Sequence, residues 1–365
     1  MSAAPVPLDH RDWTGFVFSG RRSDTSLRVR ATWRGIMAMG CAACVLVACD
    51  KTAQQAAAAA ADSTAISAAS TAPVTVIDDA GRTVTLAQPA RRVVSLIPSA
   101  TETLLALGAA EQLIARTRYD VAPEVQHLPL VGGSVDPSIE MIVSLKPELV
   151  VSWESDKRQQ FRERLTALGI PIFMLRTQDT TDVFRGLANL GALTGHTPDA
   201  QRVSTALRAQ LEAVRSSVQT LKVPTVMYVV FNDPPMTAGP KTFIGQLITL
   251  AGGRSIFDDA ATNWPNVTME EIVRRDPDVV VVPVGEFKAQ ALSRLKVMQG
   301  WRNLRAIREG RVVAVPADLL SRPSPNIGLA AEVLRSAMHP QFPSPVAEPD
   351  SIPDRAPSRD SAVKN

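Results

Sequence analysis

The residue types that carry most enzyme chemistry are thinly spread in this chain. Its four histidines, His10, His127, His196 and His339, stand far apart, with no pair at a metal-ligand spacing. There is no Gly-x-Ser-x-Gly elbow and no phosphate-cradling glycine loop, so a nucleophile with its base has no visible seat. The expectation is a protein that is not an enzyme, with no catalytic residue, no metal site and no resident cofactor; a secreted α/β hydrolase working through carboxylates alone is a remote alternative. What remains is recognition chemistry. Trp264 lies in a polar, proline-broken loop where an indole is hard to bury. Arg322 sits between Ser321 and Pro323, off any helix face, where a guanidinium can donate several hydrogen bonds.

The cysteines serve a different purpose. Cys41, Cys44 and Cys49 share one short apolar run and no cysteine follows, so the folded part has no disulfide or thiol chemistry. Arg28, Arg30 and Arg34 precede Gly35 to Ala48, which is shorter than the ~20 apolar residues a spanning helix needs and reads as a secretory signal. Its end, Leu46-Val47-Ala48-Cys49, resembles the bacterial lipobox, which implies lipidation at Cys49 and membrane attachment by the lipid anchor only. Residues 1–48 are thus an upstream extension plus signal peptide, and 49–73 an Ala/Ser-rich tether with too little apolar periodicity to build a core. The location implied is periplasmic, with Asp50 favouring the inner membrane by resemblance to enterobacterial sorting. The first 48 residues hold six Arg against three Asp, leaving 33 basic and 33 acidic groups in the rest. Near-neutrality without a basic stripe argues against nucleic acid as a partner.

From Val74 onward, apolar runs alternate with helical periodicities, as βα units around largely parallel sheets do. The runs are Val93 to Ile97, Leu149 to Ser152, Ile170 to Leu175, Thr225 to Val230, Val279 to Pro283 and Val312 to Val315. Ser138 to Val151 and Thr268 to Val281 repeat each other at an offset of 130, each a capped helix, a proline stop and a buried strand. Ser138 and Thr268 are the expected N-caps, with Glu271 completing a capping box on Thr268. Between the halves, Thr197 to Leu221 has no glycine and no proline after Pro198, which predicts one long helix. The fold class expected is α/β, two Rossmann-like lobes at 74–196 and 223–340 joined by a rigid helix at 197–222, with a disordered tail at 341–365. A stiff strut limits lobe motion, and a pocket between lobes is the default ligand position.

Several segments in order carry a family resemblance over Val74 to His339: Arg92-Val-Val-Ser-Leu-Ile-Pro-Ser-Ala-Thr-Glu102, Trp153, Phe231-Asn-Asp-Pro-Pro-Met-Thr-Ala-Gly239, Asn263-Trp-Pro-Asn-Val-Thr-Met-Glu270 and Asp318-Leu-Leu-Ser-Arg-Pro-Ser-Pro325. The chain resembles the substrate-binding proteins of ABC importers that join their lobes by one helix (class III), those that carry vitamin B12 in particular. The resemblance implies a monomer that hands a cobalt corrinoid, cobalamin or a relative, to an ABC permease dimer with its cytoplasmic ATPase. Haem or a ferric siderophore is the alternative ligand class.

It also implies ligand contacts from Pro98, Ser99, Ala100, Tyr119, Ser134 and Trp153 in the first lobe, and from Phe231, Trp264, Asp318 and Arg322 in the second. Duller roles stand beside these. Pro98-Ser99 can cap a helix Thr101 to Leu107, Tyr119 can be a turn residue, Phe231 core, and Arg322 a solvated surface group. Asp318 can accept from a ligand amide or hold Arg322 by a salt bridge. Ser134 and Leu319 depart from the family, standing where vitamin-binding members carry tryptophan. Glu140 and Glu270 occupy equivalent helix starts. The family places such a pair in arginine pockets of the permease, while the helix dipole would favour carboxylates there whatever their function.

Overall fold

The computed structural model describes residues 72–155, 159–284 and 288–346, all within one compact unit. The expectations on the leader, Cys49 and most of the tether lie outside these residues, as does the tail from 347.

The described chain opens with a hairpin not foreseen from the sequence, β1 (Val74–Ile77) against β2 (Thr83–Leu86). Asp78 closes its turn, accepting from the Arg82 amide at 2.8 Å. The first lobe follows as β3 (Val93–Ser95), α1 (Pro98–Ala106), β4 (Leu113–Ala115), α2 (Ile139–Ser144), β5 (Leu149–Trp153), α3 (Gln159–Ala167), β6 (Ile172–Leu175) and α4 (Thr180–Thr194). Its four strands are parallel in the order β4-β3-β5-β6. The long helix α5 (Thr197–Val218) comes next.

The second lobe begins with β7 (Thr225–Tyr228), the short hairpin β8 (Phe231–Asn232) and β9 (Pro235–Met236), and α6 (Phe243–Leu250). It continues through β10 (Arg254–Ser255), α7 (Met269–Arg275), β11 (Val279–Val284), α8 (Lys288–Val297), α9 (Arg305–Arg308), β12 (Val312–Pro316), α10 (Ala317–Ser321) and α11 (Ile327–Met338). Its parallel order, β10-β7-β11-β12, repeats that of the first lobe: the second strand of four at the edge, then first, third and fourth.

The repeat is visible in backbone detail. The Ser138 hydroxyl accepts from the Met141 amide and the Thr268 hydroxyl from the Glu271 amide, both at 3.2 Å. Lys146 (φ 48°) and Asp276 (φ 36°), 130 residues apart, turn left-handed directly before Pro147 and Pro277. The α-helical region is disfavoured before proline, so each helix ends in a sharp reversal into its strand. One expectation is corrected: Glu271 does not complete a capping box, because its carboxylate turns to Arg274 and Arg275 instead.

Helix α5 buries Ala200, Leu207, Leu211, Val214 and Val218 along one stripe. Ala200, Leu207, Leu211 and Val214 join a single apolar cluster that includes Leu104, Leu187 and Leu190 of the first lobe with Leu247, Ile248 and Leu334 of the second. The strut is therefore fused into both cores. Residues 341–346, expected to belong to the tail, are packed instead: Arg335 lies over the Phe342 ring at 4.4 Å and Val346 packs on the core.

Candidate functional site

In open parallel sheets, ligands bind beyond the carboxyl ends of the strands, where the strand order reverses. Here the order reverses between β3 and β5 in one lobe and between β7 and β11 in the other. The predicted residues follow those ends: Pro98 after β3, Tyr119 after β4, Trp153 closing β5, Phe231 after β7, Trp264 beyond β10, Asp318 and Arg322 after β12. Tyr119, Trp153, Phe231 and Trp264 are 36%, 49%, 45% and 44% exposed and are the only aromatic side chains in the exposed class among the described residues. These exposed rings gather at one edge of each sheet, while the other described Phe, Tyr and Trp side chains are buried or partly buried.

Tyr119, Phe231 and Trp264 sit on locally braced segments. Tyr119 sits on a turn in which Asp120 Oδ2 accepts from the Thr117 amide at 2.6 Å and the Thr117 hydroxyl at 2.7 Å. Its ring lies over Gly133, where a Cβ would come within 3.3 Å of Tyr119 Cε2 and 2.3 Å of the Asp136 carboxylate. The next residue, Ser134, has a buried hydroxyl oxygen with no hydrogen-bond partner. In the second lobe the β8–β9 hairpin carries Phe231 and docks on the loop of Trp264. Thr237 N donates to Pro265 O at 3.2 Å, Gly239 N to Asn263 O at 2.8 Å and Val267 N to Pro235 O at 2.9 Å. Gly239 is needed for this approach, since a Cβ there would meet the Thr262 carbonyl at 2.3 Å.

Pro98 is the first residue of α1 and half-buried, while Ser99 and Ala100 face into the lobe at 3% and 0% exposure. Leu319, the other departure from the family, packs against the main core.

The polar centre of the site is a clasp between lobes whose key member the sequence did not single out. Glu102 on α1 accepts from three donors of the second lobe: Arg322 Nη1 at 3.2 Å, Ser324 Oγ at 2.7 Å and Asn326 Nδ2 at 3.1 Å. Arg322 Nη2 donates to the Tyr119 carbonyl at 3.0 Å and pairs with Asp318 Oδ1 at 2.9 Å. Arg322 and Asp318 thus meet each other, and Arg322 pins the Tyr119 turn. A second tie links the lobes: the Phe243 amide donates to Gln178 O at 2.8 Å, and Thr180 N and Oγ1 donate to Gln246 Oε1 at 2.9 and 2.6 Å.

Glu140 and Glu270 are each the second residue of their helices, α2 and α7, and both are exposed. The helix-start amide of Glu140 itself, then the Ser138 hydroxyl, hold its carboxyl below the usual range, with Arg164 at 4.0 Å.

A separate pocket of about 200 Å³ opens at the opposite, amino-terminal edge of the second sheet, lined by Pro224, Asp278, Arg311 and His339 among others. It contains none of the predicted residues. Among the described residues no helix is long and apolar enough to cross a membrane, and no group of three or more His, Cys, Asp or Glu is placed to hold a metal.

Comparison with known proteins bears on the family and the fold. Residues 93–319 match a family model described as periplasmic binding protein. The vitamin B12-binding protein of Yersinia pestis (strain Pestoides F) is 31% identical over 264 residues, covering 72% of this chain and 91% of that protein. Among solved structures, the periplasmic vitamin B12 binding protein of Vibrio cholerae superposes with a TM-score of 0.59 at 25% identity, covering 68% of this chain and 97% of that one. The periplasmic heme-binding protein of Roseiflexus sp. RS-1 superposes with a TM-score of 0.61 at 23% identity, covering 69% and 99%, a likeness of fold alone.

Proposed function

This chain belongs to the periplasmic binding protein family, and from that premise we propose that it captures a corrinoid, cobalamin or a close relative, between its lobes and delivers it to an ABC permease. Family membership supplies the coarser part: a solute-binding component of a transporter, working outside the cytoplasm. The corrinoid, the lipid anchor at Cys49 and docking through Glu140 and Glu270 are our reading.

The observation that carries it is the pairing of four half-exposed rings with a clasp that consumes the cleft's predicted cation. A corrin is a broad apolar plane edged by amides. Tyr119, Trp153, Phe231 and Trp264 offer it aromatic surface, and the exposed Asp318 carboxylate can accept from amide N–H groups. Haem or a ferric siderophore brings carboxylates or other anionic donors and would call for a free guanidinium. Arg322 is already engaged by Glu102, Asp318 and the Tyr119 carbonyl.

Calorimetric titration of the purified protein with cobalamin, cobinamide, haem and a ferric siderophore tests the reading. Binding of a corrinoid, with quenching of tryptophan fluorescence, is the expected result. A flat response to both corrinoids alongside a shifted haem Soret band would reject it.

A further inference from the structure

Two carboxylates and one guanidinium meet at the clasp, so it carries a net charge of −1. The charges are not equally placed. The side chain of Arg322 is 14% exposed and that of Glu102 19%, whereas that of Asp318 is 64% exposed. The cation lies within the clasp and a carboxylate faces outward. Without Glu102, Arg322 would balance Asp318 one to one, and its Nη1 would be released from the first lobe. In a partly desolvated cleft a single uncompensated charge biases which ligands enter.

We propose that Glu102 is the residue that sets the charge selectivity of this cleft: by sharing Arg322 with Asp318 it leaves the clasp one negative charge in excess, with Asp318 the outward carboxylate, so the site rejects flat chelates edged by carboxylates and admits those edged by amides. The inference rests on the reading of the cleft as a corrinoid site. It gives specificity through a repulsive element placed beside the attractive aromatic ones. Glu102 acts as a positioning residue, since it works through Arg322 and Asp318. Its partners Ser324, fully buried, and Asn326 hold the carboxylate in place by uncharged hydrogen bonds and so separate its geometric from its electrostatic role.

The test compares two probes on one macrocycle, cobinamide with amide side chains and cobyrinic acid with carboxylates, titrated into the full chain. The wild type should prefer cobinamide by at least about tenfold. Glu102→Gln, which keeps the side chain's shape and its acceptor oxygen, should narrow that preference about fivefold or more, chiefly by tighter binding of cobyrinic acid. Asp318→Asn removes the outward carboxylate and should narrow it in the same sense even if Glu102→Gln folds poorly. Ser324→Ala with Asn326→Ala loosens the clasp without changing its charge and should leave the ratio within about twofold. An unchanged ratio in Glu102→Gln and Asp318→Asn, or an equal shift in the Ser324 and Asn326 variant, overturns the inference while leaving the corrinoid reading intact. If the wild type binds cobalamin but neither probe, the inference alone is overturned; if it binds none of the three, the corrinoid reading fails and takes the inference with it.

Discussion

Burial works against the Asp278 carboxylate, yet the Thr225 amide and hydroxyl, each at 2.9 Å, and the Arg305 guanidinium at 2.9 Å draw its pKa from 3.8 down to about 2. A carboxyl whose folded pKa is depressed contributes stability that is present above its unfolded value and is lost as pH falls through the folded one. Asp278→Asn should therefore cost about 2 kcal/mol at pH 7. Urea unfolding at pH 7 and at pH 2.5 should show the gap to wild type shrinking; a gap independent of pH would assign the loss to the uncharged hydrogen bonds alone. The exposed rings make a different prediction. Phe231→Ala and Trp264→Ala remove rings that are 45% and 44% exposed, so each should weaken corrinoid binding about tenfold or more with a far smaller effect on the melting temperature than a core truncation has. Loss of stability with unchanged binding would return both rings to a packing role. At this scale the sequence was legible where a residue's setting is local: Trp264 among polar residues and prolines, Arg322 between Ser321 and Pro323. Glu102 was not legible, because its partners lie 220 to 224 residues away and a carboxylate on a helix is ordinarily solvated.

The strut decides how the two sheets behave together. Leu207 and Leu211 occupy successive turns of α5 on the stripe that meets both lobes. Leu207→Ala should cost about 2–5 kcal/mol through lost burial and a residual cavity, although the residue touches no proposed ligand contact. Denaturation followed by tryptophan fluorescence and by circular dichroism should still give one coincident transition, because the apolar cluster is continuous through the strut. Two separated transitions would show the lobes to be independent. This element was readable before the structure because it lacks glycine and internal proline over many turns. The central strands were readable as continuous apolar runs bounded by turns, and the repeat by its constant offset. The edges were not: β4 is Leu113–Ala115 and β10 only Arg254–Ser255, too short to show a period, and both are defined by pairing with the sheet. The hairpin alternates partly buried and exposed residues in β1 and buried and exposed ones in β2 over only four positions a strand, half of the eight being exposed.

At the scale of the whole molecule, the two helices that begin with the equivalent glutamates run antiparallel to the strands they precede, so both start at the carboxyl edge of their sheets, the edge that carries the exposed rings. A partner that touches Glu140 and Glu270 together must then contact both lobes on that edge, the side on which the proposed ligand contacts lie. The expected chemistry is matched charge, one carboxylate on each lobe against basic pockets on a two-fold partner, and such contacts govern docking rather than capture. Glu140→Arg combined with Glu270→Arg should therefore leave corrinoid affinity within about twofold of wild type while lowering uptake by about tenfold or more. Each single reversal should produce an intermediate loss, since one lobe would remain engaged. Growth of a corrinoid-dependent strain on limiting ligand reads the uptake, and calorimetry on the same proteins reads the affinity. Full growth of the double variant would remove these residues from the docking surface, and a loss of affinity equal to the loss of uptake would place the defect in the cleft instead.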